Sequence, residues 1–592
     1  MTEKTSGPGH RRKGKEGALS REIERRDFLK LGAAVGAVGA FGGLLVGCAS
    51  SPSTKGPDST PGQGPVTKKD LPEDRKVREL ELFITTADYD PIRYEFGLMA
   101  AENWRKLGFA VKTTPLEWSR LSDIANVQHE YDFYTLNWAG RAERIDPDYF
   151  CYLVLHSSQV GKGQLNHNGY QSKEYDKYAE LQRTTMDVEK RREAVFKCQE
   201  IFAKDQPHTP ICTRNQIMPY NARDWDGWSP MVGEGLNSLW NFVNLKPKTD
   251  RKLLKWGYPS DVTSLNMLVT VNNHDFQTLR IIYDRLMQID PDGKAVKWAA
   301  EDVKTVDDTT IEVTIRPGMK FHDGKPVTSE DVKFSFEYPT RVKSPSFMAI
   351  LEPIKEVSIV NERTVRFALK QPYAPFFTNC LAQVFILPKH IWQDVLEKNN
   401  LQKIQDFPND KPIGSGMFKL EYWRRNQEMK LVRHEGHFAN PAIEAVLKIP
   451  YANVQGMVAG VQTGEADFGG WWIEPLQVRE LEKNAPHVKV VDAPDHGYYH
   501  INYNMRRKPF DDVAVRKALA YAIPKQIIID RLLEGHGVIT HSFIAPTNKF
   551  WHNPNVEKID FDMEKARKIL ADAGYEWGAD GRIYYPAGKT NA

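Results

Sequence analysis

From Glu79 to Thr86 apolar and polar residues alternate, which is the two-residue period of a half-buried strand. Between Tyr94 and Leu107 the period lengthens. Phe96, Leu98, Met99, Ala101 and Trp104 recur at helical spacing, Gly108 closes the segment, and Phe109-Ala110-Val111 resumes a strand. Glu189 to Ala203 places Ala194, Val195, Cys198, Ile201 and Phe202 on one helical face. Val513 to Tyr521 and Met563 to Ala573 follow the same rhythm, the second stopped by Gly574. Strands dominate from Leu286 to Leu369, at Thr310 to Ile315, Val357 to Val360 and Thr364 to Leu369. Turns at Pro291-Asp292-Gly293, Arg316-Pro317-Gly318 and His322-Asp323-Gly324 mark off this region. Strand and helix therefore alternate along the body, and the pattern predicts an α/β fold.

The first 76 residues do not share this pattern. A basic, polar stretch ends in Arg25-Arg26-Asp27-Phe28-Leu29-Lys30, an uncharged Ala/Gly-rich run extends from Leu31 to Gly47, and Leu45-Val46-Gly47-Cys48 closes it. This resembles a twin-arginine export signal joined to a lipoprotein cleavage box, although Glu24 stands where Ser or Thr is usual. Residues 1–47 are expected to be the signal peptide, with Arg25 and Arg26 read by the export machinery and Cys48 carrying the lipid. The alternative is an uncleaved anchor, for which the apolar run is short and rich in glycine. Residues 48–76, dominated by Ser, Pro, Gly, Thr and charge, are expected to form a flexible tether. The body would thus lie outside the cytoplasm, held at a membrane surface by its lipid.

At 592 residues the chain exceeds a single ordinary core, and two lobes are expected. A formal charge of +3, from 80 Lys+Arg against 77 Asp+Glu, is not that of a nucleic-acid binder. Most of that surplus sits before Cys48. Five cysteines in this length exclude a disulfide scaffold, and Cys151, Cys198, Cys212 and Cys380 lack metal-ligand spacing. Cys198 and Cys212 are the pair most able to approach across a helix and a strand. His434-Glu435-Gly436-His437 lacks the i, i+4 histidine spacing of a zinc helix and is expected at the surface. Gly414-Ser415-Gly416 has no following phosphate-loop Lys, and no Gly-x-Ser-x-Gly elbow occurs. No cofactor and no metal are expected.

Ile282-Tyr283-Asp284-Arg285-Leu286 is followed by Asp290-Pro291-Asp292-Gly293. Ile315-Arg316-Pro317-Gly318-Met319-Lys320-Phe321-His322-Asp323-Gly324-Lys325-Pro326-Val327 then leads to Ser329-Glu330-Asp331-Val332. Pro388-Lys389-His390, Pro412-Ile413-Gly414-Ser415-Gly416, Gly464-Glu465-Ala466-Asp467 and Pro509-Phe510-Asp511-Asp512 come after them. Together, and in this order, these runs resemble the family 5 extracellular solute-binding proteins. The segment that precedes these runs resembles the family's C-terminal part, with Trp138-Ala139-Gly140-Arg141, Asp146-Pro147-Asp148, Asn168-Gly169-Tyr170 and Asp205-Gln206-Pro207-His208-Thr209-Pro210. The tail therefore comes before the head. The resemblance implies one circularly permuted copy of a two-lobed, type II periplasmic-binding-protein-like α/β fold with an extra subdomain. Residues 77–214 would form the first part of lobe II, 215–504 lobe I with the subdomain, and 505–592 the rest of lobe II. Asn241 to Leu254 would bridge the ancestral termini, and Ile583 would run beside Leu82. A monomer is expected, with a domain-swapped dimer as the alternative.

The resemblance also implies function: an extracytoplasmic receptor that captures a small solute between its lobes and passes it to the permease of an ABC importer. A receptor that senses without import, or a surface-anchored hydrolase, would be the other classes. In peptide-binding relatives the position of Arg141 is commonly an aspartate that holds the ligand ammonium. Arginine there suits a carboxylate or phosphate, unless it pairs internally with Glu143, Asp146 or Asp148. The ligand is thus peptide-like, anionic or sugar-like. Trp471 and Trp472 could stack on a ring or sugar face, and Trp138, Tyr499 and Asn504 are the remaining candidates for the cleft. Asp146 is expected to order its own loop.

Overall fold

In the computed structural model, residues 71–141, 144–270 and 272–591 are described, so the signal, Cys48 and nearly all of the tether lie outside the described residues. The periodicities read from the sequence become elements close to their expected bounds. The strand Leu80–Thr85 leads into the helix Pro91–Lys106, which begins three residues before Tyr94. Asp90 caps it by accepting the Arg93 N–H at 3.1 Å, and Pro91 at its first position needs no amide donor. The helix Val188–Asp205 is capped in the same way by Asp187. Thr310–Ile315, Thr364–Leu369 and Val513–Tyr521 fall where the pattern puts them.

A twelve-stranded mixed sheet runs through the body. At one edge Leu80–Thr85 lies parallel between Val111–Leu116 and Phe133–Trp138, with Leu82 opposite Thr113 and Phe133. At the other edge Phe418–Arg424, Glu428–Arg433 and Ala445–Pro450 lead to Leu253–Tyr258. His208–Asn221, 14 residues long, joins the two ends. Its first half pairs with Tyr498–Tyr503 and its second half with Val488–Pro494. The chain thus passes between lobes twice, along His208–Asn221 and through the turn at Asp495-His496-Gly497.

The hydrophobic core divides accordingly. One large cluster takes its residues almost entirely from 218–468, and a smaller one from 457–488 with Ile217. Two others unite residues 77–212 with 498–585. Leu80, Leu82 and Trp104 pack there with Val515, Leu519 and Ile583, so the first and last parts of the chain share one core. Tyr499, Ile501 and Tyr503 belong to that core as well. Ala300–Asp307, Thr310–Ile315, Thr364–Leu369 and Ile354–Asn361 form a separate antiparallel four-stranded sheet.

The ends of the chain meet, with a shift from the expected register. Ile583 lies beside Val77 and Gly108, and Leu82 pairs elsewhere: the Val77 N–H donates to the Ile583 carbonyl and the Ile583 N–H to the Gly108 carbonyl, both at 3.0 Å. The segment from Asn241 to Leu254 is also only partly an exposed connection. Leu239–Asn244 is a helix with Asn241 and Phe242 buried, and only Lys246 to Lys252 forms an outer link.

Candidate functional site

The motif Trp138-Ala139-Gly140-Arg141 ends the strand Phe133–Trp138 and docks on the interlobe turn. A side chain at Gly140 would collide with the Asp495 carboxylate, 1.6 Å from its Cβ position, and one at Gly497 with the Trp138 carbonyl at 1.9 Å. Two glycines therefore let the chains close face to face. Asp495 accepts the N–H groups of His496 and Gly497 at 2.6 and 3.0 Å, and His496 Nε2 lies 2.8 Å from the Arg141 carbonyl oxygen. The Arg141 backbone is thus fixed to the crossing itself.

From this anchor Arg141 lines a pocket of about 280 Å³ whose walls come from both lobes. Arg144, Tyr149 and Leu153 stand on its side; Arg285, Phe276, Phe347 and Phe385 face them. Two π-helical turns, Tyr149–Val154 and Phe376–Leu381, border it from opposite lobes, a backbone form often found at functional sites. Arg144 lies over the rings of Trp138 and Tyr149, 5.3 and 5.0 Å from their centroids, and donates to the Ala139 carbonyl at 2.8 Å. Arg285 lies 5.7 Å over Phe385, donates to the Ala382 carbonyl at 2.7 Å and bonds Gln288.

Beside this pocket the lobes touch directly. The Thr378 hydroxyl donates to Asp146 Oδ2 at 2.6 Å, and the Ala374 N–H to the Arg183 carbonyl at 2.7 Å. Asp146 is buried and held by Arg191 at 2.5 Å. Burial alone would push its carboxyl up, but Arg191 and Thr378 together keep it below the usual carboxylate range. It also accepts the Asp148 N–H at 2.9 Å, so it does order its own loop. Asp148 pairs with Arg183 at 3.0 Å. A second cavity, about 510 Å³, opens on the far side of this contact between Asp146, Arg191, Phe377, Phe550 and Trp551.

Of the six ligand candidates named from sequence, Arg141 reaches the arginine pocket. Trp471 and Trp472 stack on each other at 3.9 Å and stay half-buried, with Arg214 lying 5.4 Å over Trp472 and Tyr258 edge-on to Trp471. Tyr499 is buried, its hydroxyl 3.4 Å from Arg214 Nη1. Trp138 is buried behind Arg144. Asn504 is committed to a loop, both amide hydrogens donated to the carbonyls of His129 and Tyr131, and it does not line the arginine pocket. Glu143 lies outside the described residues.

Arg144, Arg285 and the phenylalanines facing them were not singled out. Arg144 follows Arg141 by three positions, and Arg285 stands inside a recognised motif. Only their convergence, which sequence does not carry, marks them. His437 is buried rather than exposed, because its imidazole sits 3.2 Å from the buried Asp284 carboxylate. Cys198 shares a core cluster with Cys151, whereas Cys212 lies in another, and all four described cysteines are free thiols. No described cluster of His, Cys, Asp or Glu could hold a metal ion, and no described helix is long and apolar enough to cross a membrane.

Guanidiniums and aromatic rings thus face one another across a cavity between the two lobes. The sequence model of the bacterial extracellular solute-binding proteins, family 5, matches residues 294–592, and the chain belongs to that family. A twin-arginine translocation signal matches residues 22–42, so the chain carries an export signal. The chain is 29% identical over 330 residues to the oligopeptide-binding protein AppA of Bacillus subtilis, covering 54% of this chain and 59% of that protein. It is 27% identical over 306 residues to the dipeptide-binding protein of Escherichia coli, covering 48% and 55%. The match thus spans less than two thirds of these relatives' length. The solved structure of AppA with a nonapeptide overlaps with a TM-score of 0.44 at 26% identity, over 57% of this chain and 67% of that one.

Proposed function

We propose that this protein is a circularly permuted solute receptor: it captures a small solute between its lobes outside the cytoplasm and delivers it to the permease of an ABC importer. The observation that carries this reading is the pocket beside the crossing, walled by Arg141 and Arg144 from one lobe and Arg285 from the other. Family membership and the export signal support it. Trp471 and Trp472, half-buried with Arg214 over them, supply an aromatic surface for a ring or chain of the solute. Lipid on Cys48 would keep the receptor near the permease, and the stretch from Ala49 to about residue 70, ahead of the point where Arg75 and Lys76 join the body, would give it reach. Peptide relatives support a peptide as one ligand, and arginine at position 141 supports an acidic one.

The permutation is part of the proposal. Its support is the shared core of residues 77–212 and 498–585 and the hydrogen bonds from Val77 to Ile583. Surface connections tolerate this exchange when the old ends lie together. Native mass spectrometry of protein purified from its own host tests the receptor reading, because such clefts retain solute. A bound small molecule released on denaturation is the expected result. Turnover of that molecule would contradict it.

A further inference from the structure

The second interlobe cavity shares no lining residue with the arginine pocket, and Asp146 and Thr378, joined across the lobes at 2.6 Å, belong to its wall alone. Its volume of about 510 Å³ suits a small ring compound. Ala295 and Phe377 come from one lobe, and Met186, Phe550 and Trp551 from the other. Phe550 and Trp551 meet edge-on at 4.8 Å, with Arg192 5.1 Å over the first and Arg191 4.9 Å over the second. These guanidiniums hold the two rings in place, while the Met186 thioether is free to adapt to an occupant. The charges of the lining balance, Asp146 and Asp292 against Arg191 and Lys294. The buried pair is also spent. Asp146 accepts from Arg191, Thr378 and the Asp148 N–H, and Arg191 donates further to Gln182 at 3.0 Å. Asn548 gives its amide to the Ile145 carbonyl at 3.0 Å, and Asp292 and Lys294 are exposed to water. An ionic occupant would lose hydration without gaining a buried partner of opposite sign. A neutral ring loses only its unfavourable contact with water.

We infer that this cavity is a second binding site, for a neutral aromatic molecule of one or two rings that lies against Phe377, Phe550 and Trp551. Because its walls belong to both lobes, an occupant favours the arrangement in which the lobes meet. The site is separate from the solute pocket of the receptor reading and does not depend on it.

Isothermal titration of the exported protein as purified tests this, with indole as the probe beside its charged analogues indole-3-acetate and tryptamine. Indole should bind at least tenfold more tightly than either. Phe550→Ala, which removes a wall, and Ala295→Trp, which fills the space, should each weaken indole at least tenfold. A crystal grown with 5-bromoindole locates the probe without any variant, and the anomalous bromine peak should lie between Phe377 and Trp551. No binding of indole, equal binding of a charged analogue, unchanged affinity in both folded variants, or bromine elsewhere overturns the inference. Release of an endogenous solute by indole, read by native mass spectrometry, overturns it too, because the cavity would then be an arm of the solute cleft. Each of these results leaves the receptor reading standing, since the retained solute tests that reading by itself.

Discussion

The Val77 N–H donates to the Ile583 carbonyl at 3.0 Å, although the two residues stand near opposite ends of the folded chain. The contact belongs to a set. Lys76 bridges Tyr584, the Tyr585 N–H donates to the Arg75 carbonyl at 2.8 Å, and Arg75 reaches Glu576 at 2.6 Å. Asn591 closes it, its amide donating to the Lys76 carbonyl at 2.7 Å. A chain whose start and finish are so joined has in effect no free ends in its body. The connection that runs over the surface lies instead at Lys246 to Lys252, tied down by Arg251 on Asp224 and Asp467.

Ile583 is fully buried in the core that unites both ends. Ile583→Ala should therefore destabilise the body by about 3 kcal/mol, the usual cost of a deleted core isoleucine. A urea midpoint shifted to that extent is the expected outcome. A change within about 0.5 kcal/mol, typical of a surface site, would mean the tail is not part of the core.

Histidines inside the body make its stability depend on acidity. Burial holds both His167 and His208 down to about 3 from an ordinary value of 6.5. Both stay neutral when folded but take up a proton when unfolded, so their contribution is complete above pH 6.5 and is lost as pH falls from there toward 3. At pH 5 each should lower stability by about 2 kcal/mol. Denaturation midpoints measured from pH 7.5 to 4.5 should fall steeply below 6.5. His208→Phe should flatten the fall.

Thr378 connects the lobes through one hydrogen bond to Asp146, whose partner Arg191 lies in the same lobe as Asp146. Thr378→Val removes the link while keeping shape, so thermal stability should change little. Solute release should quicken by about tenfold or more, the value of one hydrogen bond to a charged group, as read by stopped-flow fluorescence. Arg191→Met, in contrast, leaves Asp146 buried without its cation and should cost about 3–5 kcal/mol.

Periodicity located most elements because each buries one face. The alternation at Thr310–Ile315 and the helical spacing at Val513–Tyr521 needed no tertiary knowledge. Where long-range packing decides, sequence was silent. Asn241 to Leu254 reads as a polar, basic connection, yet its first residues, Asn241 and Phe242, are buried, since Asn241 donates to the Leu236 carbonyl and accepts the Ser229 N–H inside the fold. His437 looked exposed until Asp284, far away in sequence, came to meet it. Arg141 was legible through its motif, whereas Arg285 became a candidate only by meeting it across the cleft. Asn504 drew notice for its place near the crossing, but its amide serves the loop.

The exchange of head and tail is tested most directly by undoing it. A chain that starts at Arg251, runs to Asn591, continues through a short Gly/Ser linker into Arg75 and ends at Asp250 keeps the described core contacts, including the Arg251 pairs with Asp224 and Asp467, and moves only the break. Its thermal unfolding, followed by near-ultraviolet circular dichroism, is the decisive measurement. One cooperative transition within about 2 °C of the natural order, a shift of roughly 1–2 kcal/mol for a body of this size, is predicted. A chain without fixed tertiary signal, or one that folds only as a dimer, would contradict the account.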